Sequence, residues 1–530
     1  MTRSLLARTT RPVALAGVFA AAVTLAGCGG GDAATGSGEP AGPPQAGGTL
    51  RYGLSSAPTC SDPAQSSTNQ TIYVTRQVVD SLVDQDPETG QLKPWLADTW
   101  TVSPDARSFT FHLRDGVTFS DGTPLTADSV RRNFDSIVAL GGAKAPLAAS
   151  YLAGYAGSTV LDPRTVRVDF AGPNAQFLQA TSTPQLGIQS EAVGSGPFTY
   201  AEWKQNASAT LAKRAGYAWG SAVFASQGEA QLDKIVFTVV PESGVRTGSL
   251  ASGQLDAISD ALPQDVAQIE GGGGRVQFTA NPGVPFGLQA NVTRGVLRDP
   301  AVRAALLPAI NRKELVDTVL GPQFKPASSV LASKTPGYVD LSARVKFDPD
   351  AAKKQLDQAG WVPGADGIRV KDGQRLSAGV IFAPVFSANQ AILELTQQQL
   401  RVVGFDLRLE PSSVAESTVR QNTKDFDFNY YNSTRADGDI LRTTFAVDQR
   451  NLNARGPAEP LDALLAQQLS ATDPAARARI IGDAQTAVLD QGLWIPTIEL
   501  SQAIGVGKAV AGVKFEASAR LQFHDTWLAR

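Results

Sequence analysis

The chain of 530 residues has few of the side chains on which catalytic and metal sites most depend. It contains two histidines, His112 and His524, and two cysteines, Cys28 and Cys60. Histidine is the side chain that most often titrates near neutral pH and a frequent metal ligand, and neither histidine has a second ligand at a metal-site spacing. The G-x-S-x-G and H-E-x-x-H patterns of hydrolases are also absent. We therefore expect no enzyme activity, no metal and no other cofactor, and both histidines at the surface.

Neither sign of charge dominates the chain. Lysine and arginine number 47 and aspartate and glutamate 50, which gives a net charge of −3. A nucleic-acid-binding surface is therefore not indicated. With Cys28 assigned a different role below, Cys60 has no partner and no disulfide framework is expected.

One apolar run stands near the amino terminus, from Val13 to Ala26, and is too short to span a bilayer comfortably. Arg3, Arg8 and Arg11 precede it, and Leu25-Ala26-Gly27-Cys28 ends it. This order resembles a bacterial lipoprotein signal, with residues 1–27 removed and Cys28 carrying the lipid. The alternative is an ordinary signal peptide with a chance cysteine. Residues 28–48 are rich in Gly, Ala and Pro and predict a flexible tether.

Residues 92–140 contain the most informative local pattern. Alternating apolar residues predict a strand over 108–114, Asp115-Gly116 predicts a turn, and Val117–Phe119 is expected to return along that strand. Thr126 is expected to cap a helix that Gly141 ends. Elsewhere strands and helices alternate, which is typical of an α/β fold. The expected strands are 49–53, 165–170, 232–240, 286–291, 376–382, 405–409, 426–431 and 492–500, and the expected helices include 72–82, 243–252, 350–360, 389–403 and 475–489.

The order of residues in this stretch resembles a known family. PWLA-x-x-W followed by SFTF-x-LRDGV-x-FSDGTPLTADSV is similar to the family 5 extracytoplasmic solute-binding proteins, the peptide-, nickel- and oligosaccharide-binding subunits of ABC importers. The segments VGSGPF, VRAALLPAINRKEL and LDQAGW resemble further motifs of the family. The resemblance implies a two-lobed α/β fold of the periplasmic-binding-protein type II class, with an extra subdomain and two hinge crossovers. It places lobe I at 49–76, 187–285 and 497–530, the inserted subdomain at 77–186, and lobe II at 286–496.

The resemblance also implies a ligand site. Ligands of open α/β sheets bind beyond the carboxyl ends of strands, and the polar segment Asn432–Asp439 follows the strand at 426–431. By position, Asp437 is the residue expected to pair with a peptide ammonium, with Asp439 as the alternative, and both have a second interpretation as solvated turn residues. Arg435 is expected either to compensate Asp437 or to hold a ligand carboxylate. The remaining expected ligand-binding residues are Asn432, Tyr431, and Thr59 and Cys60 in the loop after the first strand; Cys60 is alternatively a buried small side chain.

The function implied is that of the solute-capturing subunit of an ABC importer. We expect a monomer, anchored by its lipid on the outer face of the cell membrane, that closes on a short peptide and delivers it to a permease and ATPase. A non-peptide polar solute, such as a sugar or a modified amino acid, is the second choice. A receptor or interaction lipoprotein on the same scaffold, and an extracellular hydrolase, are the rivals from other classes.

Overall fold

The computed structural model of the chain describes residues 39–40, 42–190, 193–458 and 460–530. Residues 38–530 form a compact unit. The predicted signal sequence, Cys28 and the first part of the predicted tether lie outside the described residues. Within the described ranges there is no helix of the length and apolar character that a membrane span requires.

A seven-stranded mixed sheet is built from both ends of this unit. Its first strand, Thr49–Leu54, pairs in parallel with Lys234–Val239 on one side and Ala257–Ile258 on the other. The helix Ser243–Ala251 connects Lys234–Val239 to Ala257–Ile258. Such connections between parallel strands of one sheet are almost always right-handed. The strand order is Phe198–Lys204, Ser208–Lys213, Lys234–Val239, Thr49–Leu54, Ala257–Ile258, Ser501–Val506 and Arg275–Ala280.

A six-stranded sheet forms the centre of the second lobe. Ser377–Phe382 pairs in parallel with both Asp406–Pro411 and Phe428–Thr434, with the helix Asn389–Val402 between the first two. Gly283–Ala290 joins this parallel part to an antiparallel part. The strand order is Lys325–Pro326, Trp494–Glu499, Gly283–Ala290, Phe428–Thr434, Ser377–Phe382 and Asp406–Pro411.

The chain passes between the two sheets twice, over very short segments. Arg275–Ala280 belongs to the first sheet and Gly283–Ala290 to the second, while Trp494–Glu499 belongs to the second and Ser501–Val506 to the first. The two crossovers touch, because the Gln502 side-chain amide donates to Asn281 Oδ1 at 3.0 Å. The two-lobed fold with two hinge crossovers is therefore confirmed.

A four-stranded antiparallel sheet lies in the region where the inserted subdomain is predicted. Its order is Ala97–Val102, Ser108–Leu113, Thr165–Phe170 and Tyr155–Asp162. Ser108–Leu113 is confirmed as a strand, but the hairpin predicted with Val117–Phe119 is wrong. Both edges of Ser108–Leu113 already carry other partners, Ala97–Val102 and Thr165–Phe170. The Thr126 cap is confirmed, since its hydroxyl accepts from Ser129 N, and Gly141 breaks the helix at a φ of 69°.

The helix predicted over 72–82 is mostly wrong. The structure has a helix only at Asn69–Thr75, and the backbone beyond it is engaged by the returning chain. Gly196 N donates to Val78 O at 3.0 Å and Ile188 N donates to Asp80 O at 2.8 Å. A Cβ on Gly194 would collide with Val78 O, so the glycine-rich VGSGP turn is what permits this close approach.

The other helices follow the prediction closely at most positions. Pro308 lies in the last turn of Pro300–Ala309, and Asn311 then caps a new turn by accepting from Glu314 N. The α-helices are Asn69–Thr75, Ala127–Lys144, Pro146–Tyr151, Phe177–Ala180, Ser243–Ala251, Val266–Gly271, Pro300–Ala309, Arg312–Leu315, Pro349–Gln358, Asn389–Val402, Val414–Thr423, Ile440–Phe445, Leu461–Gln467 and Pro474–Asp490. Each of the three sheets described above has its own buried apolar cluster.

The surface position predicted for His524 is wrong. Its side chain is buried, stacks on Phe224 at a centroid distance of 4.5 Å, and places Nε2 2.8 Å from Gly228 O and Nδ1 2.8 Å from Asp525. A carbonyl can only accept, so Nε2 carries a proton. His112 is half-buried on the strand Ser108–Leu113.

Candidate functional site

A cavity of about 1080 Å³ lies where the carboxyl ends of the parallel strands of both sheets meet. Ser55 and Asp260 reach it from the ends of Thr49–Leu54 and Ala257–Ile258, and Asn281 and Gln502 of the crossovers also line it. The second sheet contributes Tyr431–Arg435, and the region of the predicted insert contributes Pro146, Leu147 and Ser150. This is the position at which α/β sheets bind ligands, since loops and helix ends diverge there and leave space.

The cavity exposes an unpaired strand edge. Phe428–Thr434 pairs with Gly283–Ala290 along its length, but its pairing with Ser377–Phe382 stops at Tyr430. Beyond that point, Tyr431–Thr434 lies along the cavity with no second strand among the described residues. Backbone N–H and C=O groups on such an edge can pair with an extended chain.

Among the described residues, Asp260 is the one carboxylate in the lining of this cavity. Its Oδ2 accepts from the Ser55 hydroxyl and from the Gln70 side-chain amide, while Oδ1 has no hydrogen-bond partner in the described part of the chain. Its backbone has a φ of 50°, a left-handed conformation that is uncommon for aspartate and costs free energy.

Arg246 lines the cavity and holds this loop in shape, with four of its five N–H groups donated to backbone carbonyls. It is buried, and its guanidinium donates to the carbonyls of Val240, Pro241, Ser259 and Asp260 at 2.5–3.2 Å. Burial lowers its pKa, with nearby aspartates opposing the shift. Arg246 therefore fixes the backbone that carries Asp260.

Arg435 lines the cavity, as do Asn432 and Tyr431, so three of the sequence-predicted residues lie together. The buried Arg435 guanidinium donates to Ser150 Oγ at 2.8 Å and lies 4.6 Å from the centre of the Tyr151 ring. Its Nη1 lies 3.3 Å from Asp439 Oδ2. Arg435 therefore forms its ion pair with Asp439 and not with Asp437, whose charge it was expected to compensate.

Asp437 does not line this cavity, contrary to the sequence-based expectation. Both of its oxygens are bound by Arg477, each at 2.7 Å, and Oδ1 also accepts from Asp439 N. Burial alone would raise the pKa of Asp437, but the charge and hydrogen bonds of Arg477 outweigh it, and the pKa lies below its ordinary value. A carboxylate saturated in this way has no oxygen left for a ligand ammonium. It borders a second cavity of about 730 Å³ instead.

The alternative ammonium partner, Asp439, is fully buried and also lies outside the cavity lining. Arg442 donates to both of its oxygens, at 2.8 and 3.0 Å, and Gln468 donates to Oδ1 at 2.6 Å. Neither aspartate is a solvated turn residue, because both are buried and each forms an ion pair with an arginine.

Thr59 and Cys60 are not brought to the cavity either. Thr59 is exposed and its backbone N–H donates to Thr71 Oγ1 at 2.9 Å, while the half-buried Cys60 thiol donates to Asp62 O at 3.3 Å. The loop after the first strand does reach the cavity, but through Ser55.

Of the two neighbouring tyrosines, only Tyr431 reaches the cavity lining. It packs edge-on against Trp494 at 5.2 Å, and burial raises its pKa. Tyr430 lies in the core, where it stacks on Phe286 and its hydroxyl lies 3.2 Å from Thr497 Oγ1. The strand alternation that separates them was visible in the sequence.

Sequence reasoning missed Asp260, Arg520 and the serines Ser67 and Ser150. Asp260 could have been found, because it follows the segment that comes after the expected strand at 232–240 and helix at 243–252, and a strand there would place it at a carboxyl end. Arg520 and the serines had no such signal, since they reach the cavity from distant parts of the chain. No cluster of three or more metal-ligating side chains occurs within the ranges that the structure describes.

Comparison with known proteins gives a consistent result. The family model described as bacterial extracellular solute-binding proteins, family 5 Middle, matches residues 91–446. The nickel-binding periplasmic protein of Escherichia coli (strain K12) is 24% identical over 451 residues, covering 78% of this chain and 82% of the relative. The glutathione-binding protein GsiB of the same strain is 25% identical over 499 residues, covering 88% and 92%.

Solved structures share the fold. NikA from Brucella suis, in complex with Fe(III)-EDTA, matches with a TM-score of 0.80 and 24% identity, covering 91% of this chain and 100% of that one. DppA from Helicobacter pylori, in complex with the peptide STSA, matches with a TM-score of 0.73 and 22% identity, covering 92% and 99%.

Proposed function

Because this chain belongs to the family 5 bacterial extracellular solute-binding proteins of ABC importers, we propose that its solute is a short peptide. The unpaired edge at Tyr431–Thr434, facing the large cavity, is the observation that carries the proposal. A peptide added along this edge would gain backbone hydrogen bonds that do not depend on its sequence.

The size of the cavity supports a solute larger than a single amino acid or an ion. Pockets for drug-sized ligands occupy roughly 300–1,000 Å³, and this cavity reaches about 1080 Å³. The relatives named above include one described as glutathione-binding and a structure in complex with a tetrapeptide. Both descriptions are compatible with an occupant of a few residues.

Asp260 replaces Asp437 as the proposed partner of the peptide ammonium. Its Oδ1 is available, the side chain is held by Ser55 and Gln70, and the site becomes drier when a ligand fills it. A charge-assisted bond between carboxylate and ammonium then fixes the register of the peptide on the strand edge.

Closure would occur about the two crossovers. Asn281 and Gln502 connect them, and the Asn281 amide also donates to Thr434 Oγ1 at 2.9 Å, at the end of the exposed edge. A solute that binds both lobes stabilises the closed arrangement by its differential affinity. The closed form would then deliver the solute to the permease.

The test is mass spectrometry on protein expressed from Gly29 onward, which contains the whole compact unit Gly38–Arg530. Native spectra report whether a solute co-purifies, and denaturation releases it for identification. We expect a ladder of short peptides, weakened by Asp260→Asn and retained by Asp437→Asn. A single non-peptide mass would refute the peptide assignment and replace it with another polar solute. A protein that remains empty and gives no thermal shift with peptides or sugars would favour the receptor or interaction role.

We also propose that Cys28 carries the lipid anchor, on the sequence pattern alone. Expressed in a bacterium that processes lipoproteins, the chain should partition with membranes, and Cys28→Ala should release it. Release of both forms, or membrane association of both, would contradict the assignment.

A further inference from the structure

Two buried arginines occupy one wall of the cavity. Arg435 reaches it from the second sheet, and Arg520 reaches it from the carboxyl-terminal segment. Arg520 is 4% exposed; its Nη2 donates to Ser67 O at 3.2 Å and its Nη1 to Ser518 Oγ at 3.0 Å. Arg435 lies 4.6 Å from the centre of the Tyr151 ring. Burial raises the pKa of Tyr151, and the positive charges of Arg435 and Arg520 oppose that rise.

The arginines around this wall differ in their carboxylate partners. Asp439 is shared between Arg435 and Arg442, and Asp437 is taken by Arg477. Within the described ranges, Arg520 has no carboxylate within 4 Å, and neither Nε of Arg520 nor Nε of Arg435 has a hydrogen-bond partner. Arg520 is thus the arginine of this set that has no direct carboxylate partner in the described part of the chain. Glu516 reaches it only through Ser518 Oγ, which accepts from Arg520 and donates to Glu516.

Buried charges without a counter-charge are costly, and they are normally paired. No carboxylate of the described residues contacts Arg520 directly, and the hydroxyl of Ser67, which lines the cavity, can donate to an anion. The hydroxyl of Ser150 already donates to Leu147 O at 2.7 Å and serves to hold Arg435. Arginine forks bind carboxylate and phosphate in the same bidentate manner. The chemistry of the wall thus selects for a negatively charged, oxygen-rich group.

We propose that the wall formed by Ser67, Arg435 and Arg520 binds an anionic group, carboxylate or phosphate, of the transported solute. The inference rests on the proposed function, because it concerns the same cavity. Arg520 acts as the specificity-determining residue: it rejects solutes that lack the anion, since these would leave its charge buried and unpaired. For a peptide, the group bound is the terminal or a side-chain carboxylate.

The first experiment compares three probes on the unaltered protein by calorimetric titration: trialanine, trialanine amide and glycerol 3-phosphate. The amide differs from trialanine only in its missing carboxylate. Hydrogen bonds to charged groups contribute about 1.5–3 kcal/mol each, so we expect trialanine to bind about 10- to 100-fold more tightly than its amide. Binding by glycerol 3-phosphate instead would support the same anion site with a phosphate-bearing solute.

The second experiment uses variants. Arg520→Gln should abolish most of the preference for the acid over the amide, and Arg520→Lys should restore part of it. Arg294→Gln is the matched control, because Arg294 is exposed, pairs with Asp425 and lies outside the cavity lining. Melting temperatures without solute show whether each variant is folded.

Equal binding of trialanine and its amide by the unaltered protein would overturn the anion site while leaving the proposed peptide function intact. Preference for the acid that survives in folded Arg520→Gln would overturn the role of Arg520. Failure of all three probes, together with an uncharged co-purifying solute, would overturn the anion site, and the identity of that solute would decide the proposed function separately.

Discussion

The substitution Asp437→Asn separates the structural role of this residue from a ligand-binding role. In the structure, Asp437 is 2% exposed and forms two hydrogen bonds of 2.7 Å with Arg477. Replacing the carboxylate by an amide keeps the shape but leaves the Arg477 charge without its partner. Breaking a buried ion pair by removing one member costs about 3–5 kcal/mol, and we expect the lower end, about 3 kcal/mol, because the amide oxygen can still accept one bond.

The expected change in melting temperature follows from the size of the protein. An unfolding entropy of about 2.1 cal mol⁻¹ K⁻¹ per residue, over the compact unit from Gly38 to Arg530, corresponds to about 1 kcal/mol for each degree. Asp437→Asn should therefore lower the melting temperature by about 3 °C. Affinity for the co-purifying solute should change by no more than about twofold, because the side chain does not face the cavity.

The assay is differential scanning calorimetry combined with titration of solute into stripped protein. The matched control is Asp490→Asn, which breaks the exposed ion pair with Arg344 and should cost at most about 1 kcal/mol. The reasoning is refuted if Asp437→Asn melts like the unaltered protein and binds solute much more weakly. That result would restore the ammonium role that the sequence resemblance implied.

Three further predictions concern the fold. Gly283→Ala should destabilise the protein by about 1–3 kcal/mol in a urea titration, because the φ of Gly283 is +110° and a Cβ would meet Ser433 O. The control Gly373→Ala also has a positive φ but open space around the Cβ, so it should cost less. Equal costs would contradict the packing argument. Burial raises the pKa of Asp80 and of Asp84 from 3.8 to about 6. The folded state therefore binds these protons more tightly than the unfolded state, and the free energy of unfolding should fall as pH rises from 4 through 6. Asp80→Asn should make this fall shallower, and an unchanged slope would contradict the assignment to Asp80. Thr126→Ala removes a helix cap and should cost about 1 kcal/mol of unfolding free energy in the same urea titration; an unchanged midpoint would contradict a stabilising role of the cap.

Local patterns of the sequence decided much of the fold. The alternation over 108–113, the Thr126 cap and the break at Gly141 all depend on interactions within a few residues, and the structure confirms each of them. The motifs resembling family 5 then supplied the two-lobed topology, which periodicity alone could not give.

Tertiary structure alone decided which polar groups face the cavity. Asp437 is held by Arg477, 40 positions away, Asp260 by Ser55, 205 positions away, and Arg520 by the backbone of Ser67, 453 positions away. The sequence places Asp437 correctly at the end of a strand, but a strand end does not determine which partner saturates a carboxylate. That choice follows from long-range packing, in which a buried charge binds whichever opposite charge the fold brings within reach.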